Sequence, residues 1–123
     1  MSKDRRTARL NELLREELSR LVRTELKDPR VETATITGVE TTSDLSQAKV
    51  FVRTLGDEIP PEEAVEGLHS AMGYIRHTLG KTLRLRRIPE FRFVVDSSLQ
   101  TASRIEELLA RVRSEDASGS HTG

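Results

Sequence analysis

The stretch from Ser70 to Asp96, SAMGYIRHTLGKTLRLRRIPEFRFVVD, constrains this chain more than any other. It opens on an apolar helical stripe, is interrupted around Ala71-Met72-Gly73, and continues as a basic helix. It stops at Ile88-Pro89 and closes as a strand in which Phe91, Phe93 and Val95 alternate with Arg92 and Val94. A glycine inside a helix costs about 1 kcal/mol relative to alanine, so Gly73 is the expected break between two helices. The residue before a proline avoids the α region, so the second helix must end ahead of Pro89. Between Met72 and Arg92 six basic residues, Arg76, Lys81, Arg84, Arg86, Arg87 and Arg92, stand against one acid, Glu90. The whole chain holds 20 Lys and Arg and 20 Asp and Glu. Charge that balances overall is concentrated here, as on a surface for a polyanion.

The remaining segments supply a thin core. Leu10, Leu13, Leu14, Leu18, Leu21, Val22 and Leu26 recur at helical spacing, which predicts a helix over 5–26 ended by Asp28-Pro29. On its far side gather Arg5, Arg9, Arg20 and Arg23, either a solvated face or a contact surface. Ala34 and Ile36 alternate with Thr33, Thr35 and Thr37, and Ala48, Val50 and Val52 alternate with Lys49, Phe51 and Arg53. These are two strands of an antiparallel hairpin with a loop near Ser43 to Gln47, and Gly38 marks a bulge. Pro60-Pro61 followed by Glu62-Glu63 is a helix start, since proline fits the first turn and acids favour the positive end of the dipole. Ser97-Ser98 caps a last helix whose buried side is Leu99, Ile105, Leu108, Leu109 and Val112. Residues 114–123 carry almost nothing to bury and are expected to be disordered. The order is α-β-β-α-kink-α-β plus a C-terminal helix: an α+β fold, one domain over 1–113, with a three-stranded sheet packed on helices.

Several function classes are excluded at this stage. The chain has no cysteine, which removes disulfides and zinc-thiolate sites and suits a cytoplasmic location. Its apolar runs are too short to span a bilayer, so no membrane partner is expected. Gly80-Lys81-Thr82 resembles the end of a phosphate loop, but Ile75 stands where the motif needs glycine. His69 and His77 have no clustered carboxylate, and His69, Ser70 and Asp96 make a triad on paper only, His69 being read as a helix-surface residue. No catalytic residue, metal site or cofactor is therefore expected, and the chain is expected to be a monomer.

The basic segment is the strongest signal. Helical projection groups Arg76, His77, Lys81, Arg84 and Arg87 on one arc, opposite Met72, Ile75, Leu79 and Leu83. Arg86 falls on the apolar side, so helical register is expected to fail near Leu85 and turn Arg84-Leu85-Arg86-Arg87 into a non-helical corner. Arg76, Lys81, Arg84, Arg86 and Arg87 are the candidate RNA-binding residues, because phosphate contacts are made largely by Lys and Arg. The alternative is an ordinary solvated face. A further alternative buries Arg86 against Asp96.

Leu26-Lys27-Asp28-Pro29-Arg30, Asp44-Leu45 with Ala48-Lys49-Val50, Leu79-Gly80-Lys81 through Leu83-Arg84-Leu85-Arg86 with Pro89, and Asp96-Ser97-Ser98 together resemble the ribosome-binding factor A family over about residues 5–113. The resemblance implies a type II KH-like domain in which Ala-x-Gly, here Ala71-Met72-Gly73, replaces the usual Gly-x-x-G at the interhelical kink. It implies a non-catalytic assembly factor that binds the immature 30S subunit and 16S ribosomal RNA, assists late maturation and 5′-end processing, and is associated with growth in the cold. Two other readings stand beside it: a KH-like module with another RNA target, and a protein–protein adaptor using the acidic Asp57 to Glu66 face.

Overall fold

Side-chain alternation along two strands decides which surface becomes core. The computed structural model describes residues 2–98 and 104–114. In it, β2 (Gln47–Thr54) and β3 (Glu90–Val95) bury Ala48, Val50, Val52, Phe91 and Phe93 on one side. Gln47, Lys49, Glu90 and Arg92 face solvent on the other. β1 (Ala34–Thr41) adds Ile36 and Val39 to the buried side. These two are three residues apart, which a regular strand cannot place on one face. The pairing shifts between Ile36 and Gly38, leaving Thr37 as the extra residue of the expected bulge. The Thr37 hydroxyl then donates to Asp96 Oδ2 at 2.6 Å.

The sheet order is β1-β2-β3, with β1 antiparallel and β3 parallel to β2. Parallel neighbours need a long crossover, and α2 (Pro61–Ser70) and α3 (Met72–Leu83) provide it. α1 (Ser2–Thr24) packs on β1, α2 on β2 and β3, and α3 on α1 and α2. Leu14, Leu18, Leu21, Val22, Ala64, Leu68, Ile75 and Leu79 complete the core, each large side chain contributing about 1.5–3 kcal/mol on burial. This is the KH-like α+β arrangement expected from the sequence.

Three local features differ from the sequence reading. α1 stops at Thr24, and the Leu26 N–H reaches back to the Leu21 carbonyl at 3.1 Å to widen its last turn. The α2–α3 break falls at Ala71 (φ −94, ψ 9), while Gly73 lies inside the first turn of α3. His69 is more than a surface residue. Its Nε2 accepts the Phe93 N–H at 3.2 Å, and its ring meets that of Phe93 edge-on at 5.3 Å.

The C-terminal helix is the larger correction. Residues 104–114 are helical, but Ile105, Leu108, Leu109 and Val112 are about half exposed, at 52%, 55%, 48% and 50%. The sheet has one apolar face, and α1 and α2 already cover it, with α3 packed on those two helices. Leu99 and residues 115–123, the bulk of the expected disordered tail, lie outside the described residues.

A 3-10 turn over Pro29–Val31 joins α1 to β1. Asp28 caps it, accepting the Arg30 N–H at 2.9 Å and the Arg30 Nη2 at 2.7 Å, and these bonds hold the Asp28 carboxyl below its ordinary range. Gly67 of α2 packs against this turn. A Cβ there would lie 2.9 Å from Val31 Cγ1 and 3.2 Å from Arg30 Cβ, whereas one at Gly73 would meet nothing within 4 Å. Gly67→Ala is therefore expected to lose about 1–3 kcal/mol by overpacking. Gly73→Ala is expected to gain up to about 1 kcal/mol from helix propensity. Urea unfolding of the two variants checks the opposite signs.

Candidate nucleic-acid interface

The basic corner begins where α3 ends. After Leu83, Arg84 adopts the left-handed conformation (φ 51, ψ 37), which terminates the helix and turns the chain. Helices usually place glycine at such a position. Helical register therefore fails at Arg84, one residue before the expected point. Beyond it, Ile88 is half-buried against the core and Pro89 is fully buried. Gly80 faces this return, and a Cβ there would meet Ile88 Cγ1 at 3.6 Å, an ordinary packing distance.

The five candidate residues divide into two roles. Lys81, Arg84, Arg86 and Arg87 are exposed, and none makes an ion pair among the described residues. Arg76 is half-buried, and its Nη2 donates to the Ile88 carbonyl at 3.0 Å. Arg76 thus braces the corner from inside. Arg86 is not buried against Asp96, whose carboxylate accepts from the Thr37 hydroxyl and the Ser98 N–H. Those bonds hold Asp96 below the usual carboxylate range.

Ala71-Met72-Gly73 lies at the other end of α3, about 17 Å away for a helix of this length. The structure does not bring that element together with Arg84, Arg86 and Arg87. Its neighbours are Tyr74, whose hydroxyl donates to Glu25 Oε1 at 2.6 Å, and Ser70, whose Oγ lies 3.4 Å from Arg30 Nη2. The carboxylate beside it pushes the Tyr74 hydroxyl pKa up.

Sequence reasoning missed two features near the corner. Lys49 stands opposite Arg92 in the parallel register, both exposed, which carries basic charge onto the open side of the sheet as far as Glu40, the antiparallel partner of Lys49. The strand alternation held the signal for that pair. The second is the link between the expected β1–β2 turn and the corner, where the Glu90 N–H donates to the Ser46 carbonyl at 3.0 Å. Asp44 Oδ1 accepts from the Thr42 hydroxyl (2.7 Å), the Ser46 hydroxyl (2.8 Å) and the Ser46 N–H (3.1 Å). Leu45 is held at φ 60 with its side chain 39% exposed. Among the described residues no three His, Asp or Glu are grouped to hold a metal ion, and no helix is long and apolar enough to cross a membrane.

Known proteins resemble this chain in sequence and in fold. The family model for ribosome-binding factor A matches residues 6–109. The ribosome-binding factor A of Halothermothrix orenii is 43% identical over 121 residues, covering 98% of this chain and 99% of that protein. The crystal structure of the Thermus thermophilus ribosome-binding factor A superposes with a TM-score of 0.65 at 28% identity, over 72% of this chain and 93% of that one. A homology model of the Thermus thermophilus factor, fitted into a cryo-electron-microscopy map of its complex with the 30S subunit, gives 0.59 at 26% identity, over 71% and 91%.

The two roles of the arginines separate experimentally. Arg76→Ala is expected to lower stability by roughly 1–2 kcal/mol through the lost Ile88 bond. Arg84→Ala and Arg86→Ala should each stay within about 0.5 kcal/mol of the parent, as urea midpoints will show. The turn gives a pH prediction. An unfolded aspartate titrates near about 3.9, and the three hydrogen bonds push Asp44 down to about 2. Its ionised form stabilises the fold above about pH 4, and that contribution disappears as pH falls from about 4 to about 2. Asp44→Asn should unfold more easily than the parent at neutral pH, and the difference should vanish at the acid end of a pH series.

Proposed function

The chain belongs to the ribosome-binding factor A family, and from that premise we propose that it is a non-catalytic, cytoplasmic assembly factor acting on the 30S subunit. It binds 16S ribosomal RNA in the immature particle and assists late maturation, including processing of the RNA's 5′ end. The observation that carries the RNA-binding part is the corner itself. Lys81, Arg84, Arg86 and Arg87 are exposed without ion pairs among the described residues, on a backbone turn fixed by Pro89, Ile88 and Arg76. Unpaired guanidinium groups on a rigid turn suit phosphate oxygens, which accept bidentate charge-assisted hydrogen bonds. Residues 1–113 act as the single folded unit in this reading, and Ala71-Met72-Gly73 serves as the interhelical element without the loop that clamps single strands in standard KH domains.

The proposal has a direct test. Tagged protein sedimented with ribosomal fractions is expected with free 30S subunits rather than 70S ribosomes, and even recovery in every fraction would refute it. Each phosphate contact releases counterions, so log K falls with log salt in proportion to the number of contacts. The doubly substituted Arg84→Ala, Arg86→Ala protein should flatten that slope by about 2 while keeping its unfolding midpoint.

A further inference from the structure

We propose that the first two turns of α1 form a second phosphate-binding arm, in which Arg5, Arg6 and Arg9 act with the Arg84–Arg87 corner to straddle double-helical RNA. This inference rests on the RNA-binding reading above and extends it to residues outside the corner.

The arm is defined by where the sheet stops supporting α1. Asn11 Oδ1 accepts the Thr41 N–H at 3.0 Å and the Thr41 hydroxyl at 2.8 Å, so the Asn11 level of the helix is fastened to the end of β1. The fully buried residues of α1 begin at Leu14, with Leu10 only partly buried. The helix extends about 12 Å ahead of Leu10 at the usual rise, and of residues 5–9 only Thr7 is partly buried. Arg5, Arg6 and Arg9 are exposed on that stretch. At about 100° per residue they fall within a 100° arc turned away from Leu14 and Leu18. Leu13 falls in the same arc, which accounts for its 42% exposure.

The arm and the corner lie at one end of the molecule. Thr41 ends β1 and pairs with Ala48, while Gln47 pairs with Glu90 and Ser46 accepts the Glu90 N–H. The Asn11 level of α1, the β1–β2 turn and the chain leaving the corner thus meet at the same edge. α1 lies over β1 and the corner leads into β3, so the two groups depart from strands about 10 Å apart, two inter-strand steps. A single strand offers one backbone, whereas an A-form stem offers two that cationic groups at this spacing can straddle.

Charge separates this arm from the rest of the helix. No acid lies between Arg5 and Asn11. Further along, Glu12 pairs with Arg15, and Arg20 pairs with Glu17 and Glu25. The arginine face expected from the sequence is thus split, with Arg20 committed within the protein. Arg5 also sits in the first turn, near the positive end of the helix dipole, an unfavourable placement for a cation that bound phosphate offsets.

The test compares salt slopes for the full chain, for Arg84→Ala with Arg86→Ala, and for Arg5→Ala with Arg6→Ala and Arg9→Ala. The probes are purified 30S subunits, an RNA stem-loop and poly(U). Removing the arm is expected to flatten the 30S slope by about 2 to 3, to weaken stem-loop binding more than poly(U) binding, and to leave the unfolding midpoint in place. Lysine at all three positions should restore most of the slope. A corner variant that flattens the slope beside an arm variant that does not would overturn the arm and spare the RNA-binding reading. Unchanged slopes in both would overturn that reading as well. Weaker binding at an unchanged slope would assign the arginines a structural role, and equal losses on stem-loop and poly(U) would remove the double-helical specificity.

Discussion

The parallel pairing of β3 with β2 is the constraint on which the rest of this structure depends. β2 and β3 start at the same end of the sheet, so the chain must return along the length of the sheet between Thr54 and Glu90. Only helices bridge such a span while satisfying their own backbone. One helix would suffice to cross, but the chain divides the crossover at Ala71 into α2, which covers the apolar face with α1, and α3, which packs on those two helices. The return path then fixes where α3 ends. Its C-terminus must arrive beside the start of β3, so the residues that stop the helix stand at the hairpin end of the sheet. The basic corner occupies that position because the topology leaves it no other.

Much of this was legible in the sequence because it depends on local rules. Period-two alternation located the strands, the Asp28-Pro29 and Pro60-Pro61 steps punctuated the helices, and two core residues three apart around Gly38 required a bulge. The failures share one cause, which is that periodicity reports an apolar stripe without reporting whether a surface remains for it. The stripe of residues 104–114 is as regular as that of α1, yet the sheet's single apolar face is already filled. The break at Ala71 rather than Gly73 has a related origin. Glycine cost ranks positions, but the turn forms where Arg30 and Tyr74 fasten the neighbouring residues, and those contacts are distant in sequence. For the site, charge counting found the corner but not the division of labour within it. Arg76 and Arg84 look alike in a projection. Only the fold shows that one guanidinium faces a carbonyl and the other faces solvent.

Charge balance has a comparable explanation. Equal numbers of acids and bases give a neutral chain, yet the ends of the molecule differ. Arg84, Arg86, Arg87, Lys49 and Arg92 lie toward the hairpin end, while Asp57, Glu58, Glu62 and Glu63 lie on the connection and helix start that follow β2 at the opposite end. At physiological salt, fields from exposed charges decay over about 8 Å. A polyanion approaching the hairpin end therefore meets the local positive surface and little of the distant negative one. Overall neutrality limits long-range attraction to any polyanion, and that favours recognition by shape and position over indiscriminate binding.

The choice of residue at the left-handed position sharpens the case that the corner is built to present charge. A helix that needed only to stop would place glycine there, since a residue with a Cβ pays about 1–2 kcal/mol in that conformation. This chain places Arg84 instead and accepts the strain within a segment already stiffened by Pro89 and by the Arg76–Ile88 hydrogen bond. A glycine would also have left the turn flexible in the unbound state. Arginine narrows the backbone to one well and carries a guanidinium on the same residue. The strain is local, the residue is exposed, and no contact within the described residues repays it. Strain that is not repaid inside the fold is commonly found where a chain meets a ligand, and in the RNA-binding proposal the ligand of this corner is the phosphate backbone.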